Sequence, residues 1–313
     1  MNCRESCCMM KNMIEFKPLE MKNREYYQSL CRQGLTKGCG FTFNSIYMWG
    51  EQCMAFRHGC ALIRADYNGH ELYPYPVGDG DRKAAVEDLI LDAEERGIPL
   101  RLCGLDGQDK EELENFFPGR FEFREYRDGA DYIYEINALA DLPGSRMHKK
   151  KNHVNRFLKT YPDWRMEEMT AENLLPAQGF LQEWYAEREA ADPEGDYEME
   201  KTAFRRAFAH FEEMEMEGLY LLIGNEIAAF TMGSFLNRNT FDVHFEKAKA
   251  GVDGAYAMIN REFARYLREK HPELCYIDRE DDMGLSGLRQ AKLSYRPLCL
   301  IGSYTASLRS EDD

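Results

Sequence analysis

The pattern of hydrophobic and polar residues divides the chain into short strands and amphipathic helices, which predicts a mixed α/β fold. The clearest helix of the first half is predicted over 82–96, where apolar residues from Val86 to Ala93 repeat at helical spacing and Asp81 is placed to cap the N-terminus. The other elements predicted in this half are a helix at 21–32, strands at 54–65, 71–75 and 100–105, a helix at 110–117, and strands at 121–126 and 131–136.

A similar order of elements returns in the second half. A Gly-containing turn leads into a helix whose apolar residues from Ala255 to Leu267 share one face. The predicted strands of this half are an antiparallel meander at 219–223, 226–236 and 240–248, with others at 164–168, 275–278 and 298–305. Its remaining predicted helices are at 146–160, 171–190 and 200–216.

This repeated order predicts two related α/β domains in tandem. Their expected bounds are 14–136 and 143–306, joined near 137–143. A chain of 313 residues with 44% hydrophobic residues is long enough to build two such cores. The second domain carries most of the candidate chemistry.

Charge, hydropathy and cysteine usage narrow the class of protein. The net charge of −15 argues against nucleic-acid binding by overall charge, so any such binding needs a local basic patch. No apolar run approaches the roughly 20 residues that cross a bilayer, and residues 1–13 lack the apolar centre of a signal peptide. The ten cysteines include no C-x-x-C pair, which predicts free thiols in a reducing cytoplasm, without a disulfide framework or a metal site.

The turn before the helix at Ala255 is a candidate anion site. A strand that opens through glycines into a helix N-terminus presents unpaired backbone N–H groups. Lys249, Gly251, Gly254 and Ala255 would then hold the phosphates of a donor such as acyl-CoA. Asp253 disfavours an anion there, and an ordinary turn explains the two glycines equally well.

Polar residues on the preceding strand are candidate catalytic groups. Asp242, His244 and Glu246 are two residues apart and should share one face. Acyl transfer needs a base and an acid, which predicts His244 or Glu246 as the base and Tyr295 as the acid. The strand must then part from its neighbour to leave a slot. The alternative is a strand face in contact with water.

The acidic turn after the strand at 275–278 is a candidate binding site for a substrate ammonium group. Asp278, Arg279 and Glu280 lie where the strand ends, the usual position of sites in open α/β sheets. Internal ion pairs through Arg279, or an acidic cap of the next helix, are the alternatives. Magnesium binding is less favoured, since no second carboxylate cluster accompanies the turn.

The helix at 146–160 is strongly basic. Its candidate phosphate-binding residues are Lys149, Lys150, Lys151 and Arg156, in a segment without acidic residues. Such a helix fits the phosphates of RNA or of a CoA nucleotide, or an anionic membrane surface. A basic helix that packs on acidic residues of the same chain is the alternative.

Five segments together resemble the C-terminal domain family of phosphatidylglycerol lysyltransferases. They are FTFNSIYMW, KKKNHVNRF with YPDW, DVHFEKA, GAYAMIN and YIDREDDMGLSGLRQAKLSYRP. The resemblance covers about 14–304 and implies two tandem GNAT-like acyltransferase domains, similar to Fem-type aminoacyltransferases. It implies that Tyr295 is the general acid, that Gly251 and Gly254 form the cofactor turn, and that the basic helix from Lys149 binds a tRNA acceptor end.

The resulting hypothesis is a cytoplasmic acyl- or aminoacyltransferase without a tightly bound cofactor. Its donor would be acyl-CoA or aminoacyl-tRNA, and its acceptor an amine or a hydroxyl. The rival hypothesis is a GNAT-like binding module, without catalysis, for a nucleotide, an RNA or a protein.

Overall fold

A computed structural model of the chain describes residues 14–31, 38–67, 70–193 and 195–309. The segment considered for a signal peptide, residues 1–13, lies outside them, as does part of the helix predicted at 21–32. The chain forms two compact units. Unit 1 comprises residues 1–127 and 302–313, and unit 2 comprises residues 128–301.

Unit 1 is a mixed sheet with helices. Its elements in chain order are β1 (Lys17–Pro18), α1 (Arg24–Leu30), α2 (Phe43–Met48), β2 (Glu51–Arg57), β3 (Cys60–Tyr67), β4 (His70–Pro74), α3 (Arg82–Arg96), β5 (Arg101–Leu105), α4 (Gly107–Phe116) and the first part of β6 (Phe121–Glu135). Helix α3 begins at the Asp81 cap, where the Asp81 carboxylate accepts the N–H of Ala84. Leu89, Leu102 and Leu113 are fully buried and lie in one core.

Unit 2 has a meander, a parallel pair and flanking helices. Its elements are the end of β6, then α5 (Ile136–Asp141), α6 (His148–Thr160), β7 (Trp164–Glu168), α7 (Leu175–Ala191), α8 (Glu198–Ala209), β8 (Glu217–Ile223), β9 (Glu226–Asn237), β10 (Thr240–Ala248), α9 (Ala255–Lys270), β11 (Tyr276–Asp278), α10 (Ser286–Leu293) and the start of β12 (Cys299–Leu308). Phe241 of β10 and Phe263 of α9 pack edge to face in its core.

The two units repeat one arrangement of strands. In unit 1 the order is β1-β2-β3-β4-β5-β12, and in unit 2 it is β6-β11-β10-β9-β8-β7. Among these neighbours, β4 with β5 and β10 with β11 pair in parallel, and the others pair antiparallel. In each unit, a helix, α3 or α9, connects the two parallel strands. This repetition accounts for the similar order of elements in the two halves of the sequence.

Several predicted bounds were wrong, each for a local reason. The single strand predicted at 54–65 is a hairpin, because His58 and Gly59 both adopt positive φ in a two-residue turn. The strands predicted at 121–126 and 131–136 are one strand, β6. Helix α8 ends at Ala209, short of the predicted 216. The linker expected at 137–143 is largely helix α5, inside unit 2.

Candidate active site

The site forms where two parallel strands of unit 2 separate. Strands β10 and β11 pair only from Thr240 with Tyr276 to Asp242 with Asp278. Beyond that point β11 ends, whereas β10 continues along β9 to Ala248. A bulge lies in β10 between Asp242 and Phe245. Bulges bend a strand and re-aim its side chains. The two strands therefore diverge beyond Asp242 and Asp278, and the region between them is here called the fork.

The bulge also alters which face each aromatic residue of β10 occupies. Phe241 packs on Phe263 of α9, whereas Phe245 stacks on Phe204 of α8, with ring centroids 3.9 Å apart. A strict alternation would have placed both phenylalanines on the same face. The extra residue in the bulge therefore places Phe241 and Phe245 against different helices.

Glu246 and Arg279 form an ion pair in the fork. The Nη2 of Arg279 donates to Oε1 of Glu246 at 2.8 Å, and the Nδ2 of Asn260 on α9 donates to Oε2 at 3.2 Å. Both oxygens of Glu246 are thus occupied by donors of the protein, and its side chain is only 10% exposed. The arrangement suits Glu246 to orient the guanidinium of Arg279.

Tyr295 lies beside this pair. It is 5% exposed and follows α10, and the Cζ of Arg279 lies 5.0 Å from the centroid of its ring. Burial raises the pKa of Tyr295; Arg279 lowers it and Glu246 raises it further. The phenol therefore keeps its proton at neutral pH, as a general acid must.

Lys150 reaches the fork from the basic helix α6. Its Nζ lies 3.9 Å from the centroid of the Tyr295 ring. Burial and the positive charge of Arg279 lower the pKa of Lys150 to about 8, against the opposing attraction of Glu246. The structure thus adds to the fork a lysine that the sequence had assigned only to phosphate binding.

His244 lies outside the accessible part of the fork. Its side chain is 0% exposed. Nε2 lies 2.8 Å from Oγ of Ser234, and Nδ1 lies 3.0 Å from Oε1 of Glu280. Both ring nitrogens are therefore held by neighbouring side chains, which suits His244 to position Glu280.

The acidic turn is fixed by one buried lysine. The Nζ of Lys292 donates to the backbone carbonyls of Arg279 at 2.5 Å and Glu280 at 3.2 Å, and also to that of Asp281. Asp278 is fully buried and its Oδ1 accepts the N–H of Glu280 at 2.8 Å. These contacts hold the backbone that presents Arg279 to Glu246.

Buried carboxyl groups beneath the turn favour their neutral form. Burial, with the nearby Glu280 and Asp278, raises the pKa of Asp242 well above its usual range. Burial and Asp131 do the same to the pKa of Asp278. Asp278 lies deeper than the predicted role of contacting a substrate ammonium requires, whereas the side chain of Glu280 is 19% exposed.

The Gly-containing turn is occupied by its own chain. Three backbone N–H groups, those of Lys249, Val252 and Ala255, bond to carbonyls of the protein, the last two within the turn itself. Gly254 has a φ of +84°, and an added Cβ would lie 2.6 Å from the carbonyl oxygen of His153 on α6. Gly254 thus permits the close approach of α6. No such neighbour lies within 4 Å of Gly251.

The basic residues of α6 differ in their surroundings. Lys149 and Lys151 are exposed and have no ion-pair partner among the described residues. Arg156 instead pairs with Asp253 of the Gly-containing turn at 2.5 Å. The sequence left two roles open for this helix, phosphate binding and packing on acidic residues of the same chain. Each role fits different residues of the helix. Arg156 packs on an acid of the same chain, and the two lysines remain available to a phosphate.

The sequence analysis missed Asn260, Lys292 and the inward position of Lys150. The first two are polar residues on otherwise amphipathic helices. Asn260 lies in the segment GAYAMIN and Lys292 in YIDREDDMGLSGLRQAKLSYRP, but neither had been given a role of its own. Lys150 had a signal, since it lies three residues after Met147, four before Val154 and seven before Phe157. Val154 and Phe157 form the buried stripe of α6, and the buried Met147 directly precedes the helix.

Comparisons with known proteins identify relatives over nearly the whole chain. The model of a family described as "Phosphatidylglycerol lysyltransferase, C-terminal" matches residues 32–307. A conserved protein of unknown function from Bacteroides thetaiotaomicron VPI-5482 is 34% identical, with a TM-score of 0.87 over 95% of this chain and 100% of that one. The structure of L-PGS from Bacillus licheniformis is 13% identical, with a TM-score of 0.69 over 95% of each chain.

One curated protein matches this chain over only part of its length. An uncharacterized protein of Mycoplasmoides gallisepticum is 28% identical over 182 residues, which are 57% of this chain and 56% of that protein. The expected fold class, a mixed α/β chain with the same strand arrangement in two successive units, is confirmed. Within the described residues, no helix has the length and apolar character that crossing a membrane requires.

Proposed function

The chain belongs to the phosphatidylglycerol lysyltransferase C-terminal family, and from that premise we propose that it is an aminoacyltransferase. The reaction moves an aminoacyl group from the ester of an aminoacyl-tRNA to an amine or hydroxyl acceptor. The proposal rests mainly on the arrangement of three side chains in the fork. The fork brings Tyr295, Arg279 and Glu246 into contact, although Glu246 lies on a separate strand far from the other two in the chain.

The residues of the fork fit the chemistry of acyl transfer. Attack on an ester carbonyl places negative charge on its oxygen, and a fixed cation stabilises that charge. Arg279 supplies this cation, and Glu246 and Lys292 hold it in place. The departing oxygen needs a proton, which Tyr295 donates from its phenol. In this proposal Glu246 orients Arg279 and His244 positions Glu280, so neither takes the proton of the acceptor.

The surroundings of the turn favour aminoacyl-tRNA over acyl-CoA as the donor. The N–H groups of Lys249, Val252 and Ala255 are bonded within the protein, and α6 occupies the space beside Gly254. These N–H groups and this space are therefore not available to a pyrophosphate. Lys149 and Lys151 face solvent on α6 and suit the phosphates of a tRNA acceptor end. We assign Glu280 to the amino group of the aminoacyl ester.

A donor-exchange assay tests the proposal. The full chain is incubated with lysyl-tRNA or alanyl-tRNA labelled in the amino acid, or with labelled acetyl-CoA, each with and without phosphatidylglycerol vesicles. The expected result is protein-dependent transfer of label from an aminoacyl-tRNA and none from acetyl-CoA. Transfer from acetyl-CoA alone overturns the choice of donor.

The same assay separates an enzyme from a binding module. If tRNA binds and no label leaves it faster than in protein-free buffer, the transferase proposal fails. Label found in the lipid fraction identifies the vesicle as acceptor. Protein-dependent transfer that is equal without vesicles points to a soluble amine or hydroxyl present in the assay.

A further inference from the structure

Lys150 occupies a position on α6 where a lysine is unusual. It lies in the stripe formed by Met147, Val154 and Phe157, all of which are buried. Its own side chain is half-buried, whereas its neighbours Lys149 and Lys151 are exposed. Lysines that bind phosphates are normally fully hydrated and free to move. The placement of Lys150 therefore indicates a role other than that of its neighbours.

The charged and titratable groups around Lys150 come from three elements. Tyr295 follows α10, Arg279 follows β11, and Glu246 lies on β10. Nζ lies 3.9 Å from the centre of the Tyr295 ring, and no carboxylate lies within ion-pair distance in the described part of the chain. Both carboxylate oxygens of Glu246 accept hydrogen bonds, one from Arg279 and one from Asn260. An ammonium group here has no carboxylate partner, and the face of the Tyr295 ring is the contact that favours its charge.

We propose that Lys150 is the general base of the transfer reaction, an assignment that rests on the function proposed above. The amine contacts the ring whose phenol we assign as the acid, so the base and the acid of the reaction are neighbours in the fork. Burial first, and then Arg279, lower the pKa of Lys150 to about 8, which makes the neutral amine accessible near neutral pH. Neither Glu246 nor His244 has a free atom placed to do the same.

The proton and electron transfers balance within the fork. Neutral Nζ of Lys150 accepts the proton of the acceptor O–H or N–H as that oxygen or nitrogen bonds to the ester carbonyl carbon. The bond from this carbon to the ribose oxygen of the tRNA then breaks, and its electron pair stays on that oxygen. Tyr295 donates its phenolic proton to the ribose oxygen. The ammonium of Lys150 returns a proton to the phenolate, which restores both residues.

The first test measures Lys150 without any substrate. Acetic anhydride labels lysines of the folded full chain in competition from pH 6 to pH 11, and tandem mass spectrometry separates the three consecutive lysines. The reactivity of Lys150 should reach half its maximum near pH 8. Lys149 and Lys151 in the same peptide are the internal references. A midpoint for Lys150 above about pH 10, as in free lysine, overturns the inference.

The second test uses variants that separate charge from basicity. Lys150→Arg keeps a positive charge but cannot become neutral, so kcat/KM should fall about 100-fold while tRNA binding is retained. Lys150→His restores a base with a pKa near 6.5, so part of the rate should return and the rising limb of the pH profile should move to lower pH. Lys159→Arg, an exposed substitution on the same helix, is the matched control and should leave the rate unchanged.

The outcomes for this inference and for the proposed function are distinct. If the wild-type chain transfers label and Lys150→Arg retains its rate, the base assignment alone fails. If the wild-type chain transfers from neither aminoacyl-tRNA nor acetyl-CoA, the proposed function fails and takes the base assignment with it. Loss of rate in Lys150→Arg together with loss of folding, seen by circular dichroism, is resolved by the labelling test.

Discussion

Burial favours the neutral form of both Tyr295 and Lys150, although the two groups carry opposite charges when ionised. It raises the pKa of the phenol and lowers that of the amine. Arg279 lowers both, since a positive charge stabilises a phenolate and destabilises an ammonium. A phenol that keeps its proton and an amine that loses its proton near pH 8 therefore lie in contact, and a permanently charged guanidinium lies beside them. Such an arrangement suits acid–base chemistry better than ionic binding.

Replacing Tyr295 by Phe should remove the proton donor and little else. The ring stays in contact with Lys150 and Arg279, so the fold should survive. We expect kcat/KM for transfer from aminoacyl-tRNA to fall by about two orders of magnitude, the usual contribution of a general acid. The assay is release of label at fixed tRNA concentration, and Tyr126→Phe, an exposed tyrosine of unit 1, is the control. An unchanged rate in Tyr295→Phe would remove Tyr295 from the mechanism.

Asp282 should make stability depend on pH. Arg289 donates to both of its oxygens, at 2.9 and 2.7 Å, and Tyr132 donates to one at 2.5 Å. The bonds from Arg289 hold the pKa of Asp282 well below its usual value. A folded-state pKa that is depressed contributes stability above the unfolded pKa and loses it as pH falls. The contribution of Asp282 should be complete at pH 7 and decline below about pH 4.

The measurement for Asp282 is urea unfolding from pH 7 to pH 3. At pH 7, Asp282→Asn should lower the free energy of unfolding by about 1.5–3 kcal/mol, the scale of hydrogen bonds to charged groups. The difference from wild type should shrink as pH falls. Glu273→Gln, an exposed carboxylate, provides the baseline. A gap that widens towards low pH would contradict a depressed pKa for Asp282 in the folded state.

At the scale of elements, helix α6 contributes residues to the core, to the fork and to the exposed surface. Its apolar stripe packs into the core through Val154 and Phe157. Lys150 extends from the same side into the fork, and Lys149 and Lys151 face water. The close approach of α6 to the N-terminus of α9, permitted by Gly254, sets the position of all three lysines. Gly254, which the sequence assigned to a cofactor turn, thus allows α6 to pack closely against the start of α9.

Gly254→Ala should displace α6. The new Cβ would lie 2.6 Å from the carbonyl oxygen of His153, at a φ of +84° that side chains other than glycine rarely adopt. We expect the free energy of unfolding to fall by about 1–2 kcal/mol and the reactivity of Lys150 towards acetic anhydride to change. Gly251→Ala, in open space at the same turn, should alter neither. Equal effects of the two substitutions would refute this account of the turn.

The exposed lysines of α6 should contribute to salt-dependent binding of tRNA. Replacing both Lys149 and Lys151 by Ala should weaken binding and reduce the slope of log K against log salt by about one for each lysine. Fluorescence anisotropy with labelled tRNA over a series of KCl concentrations measures this slope. Lys22→Ala, an exposed lysine of unit 1, is the control. A slope equal to that of wild type would exclude both lysines from phosphate contact.

At the scale of the whole chain, unit 1 is completed by its last strand. Residues 302–313 return to unit 1 after unit 2 is finished. Strand β12 pairs there with β5, where Ala306 lies opposite Leu102, and both are fully buried. Unit 1 therefore cannot close its sheet until the C-terminal residues have been made.

Truncation after Ile301 should destabilise unit 1 selectively. Removal of β12 exposes the buried edge of β5, so amide hydrogens of Arg101–Leu105 should lose protection from exchange. Hydrogen exchange with mass spectrometry follows both units in one sample, and peptides of α9 report on unit 2. Truncation after Arg309 retains the whole strand and is the control. Unchanged protection in β5 would show that β12 is dispensable.

The sequence by itself determined the fold class and most elements. Hydrophobic periodicity and capping residues are local properties, so α3, α9 and the meander β8–β9–β10 were predicted within a few residues. The same local signals marked Tyr295, Glu246 and Arg279 as candidates, and the resemblance of the motifs identified the family. Errors arose at the hairpin turn of His58 and at the bulge of β10, where one residue changes the register.

Only the tertiary structure decided what each candidate residue can do. Whether a carboxylate acts as a base depends on which groups already occupy its oxygens, and Asn260 and Arg279 reach Glu246 from separate elements. Whether a lysine is charged depends on its burial, and Lys150 differs from Lys149 and Lys151 only in the direction that helix geometry gives it. Local sequence determines the element and the backbone position that a side chain occupies. Its protonation and its partners depend on groups that are distant in the chain.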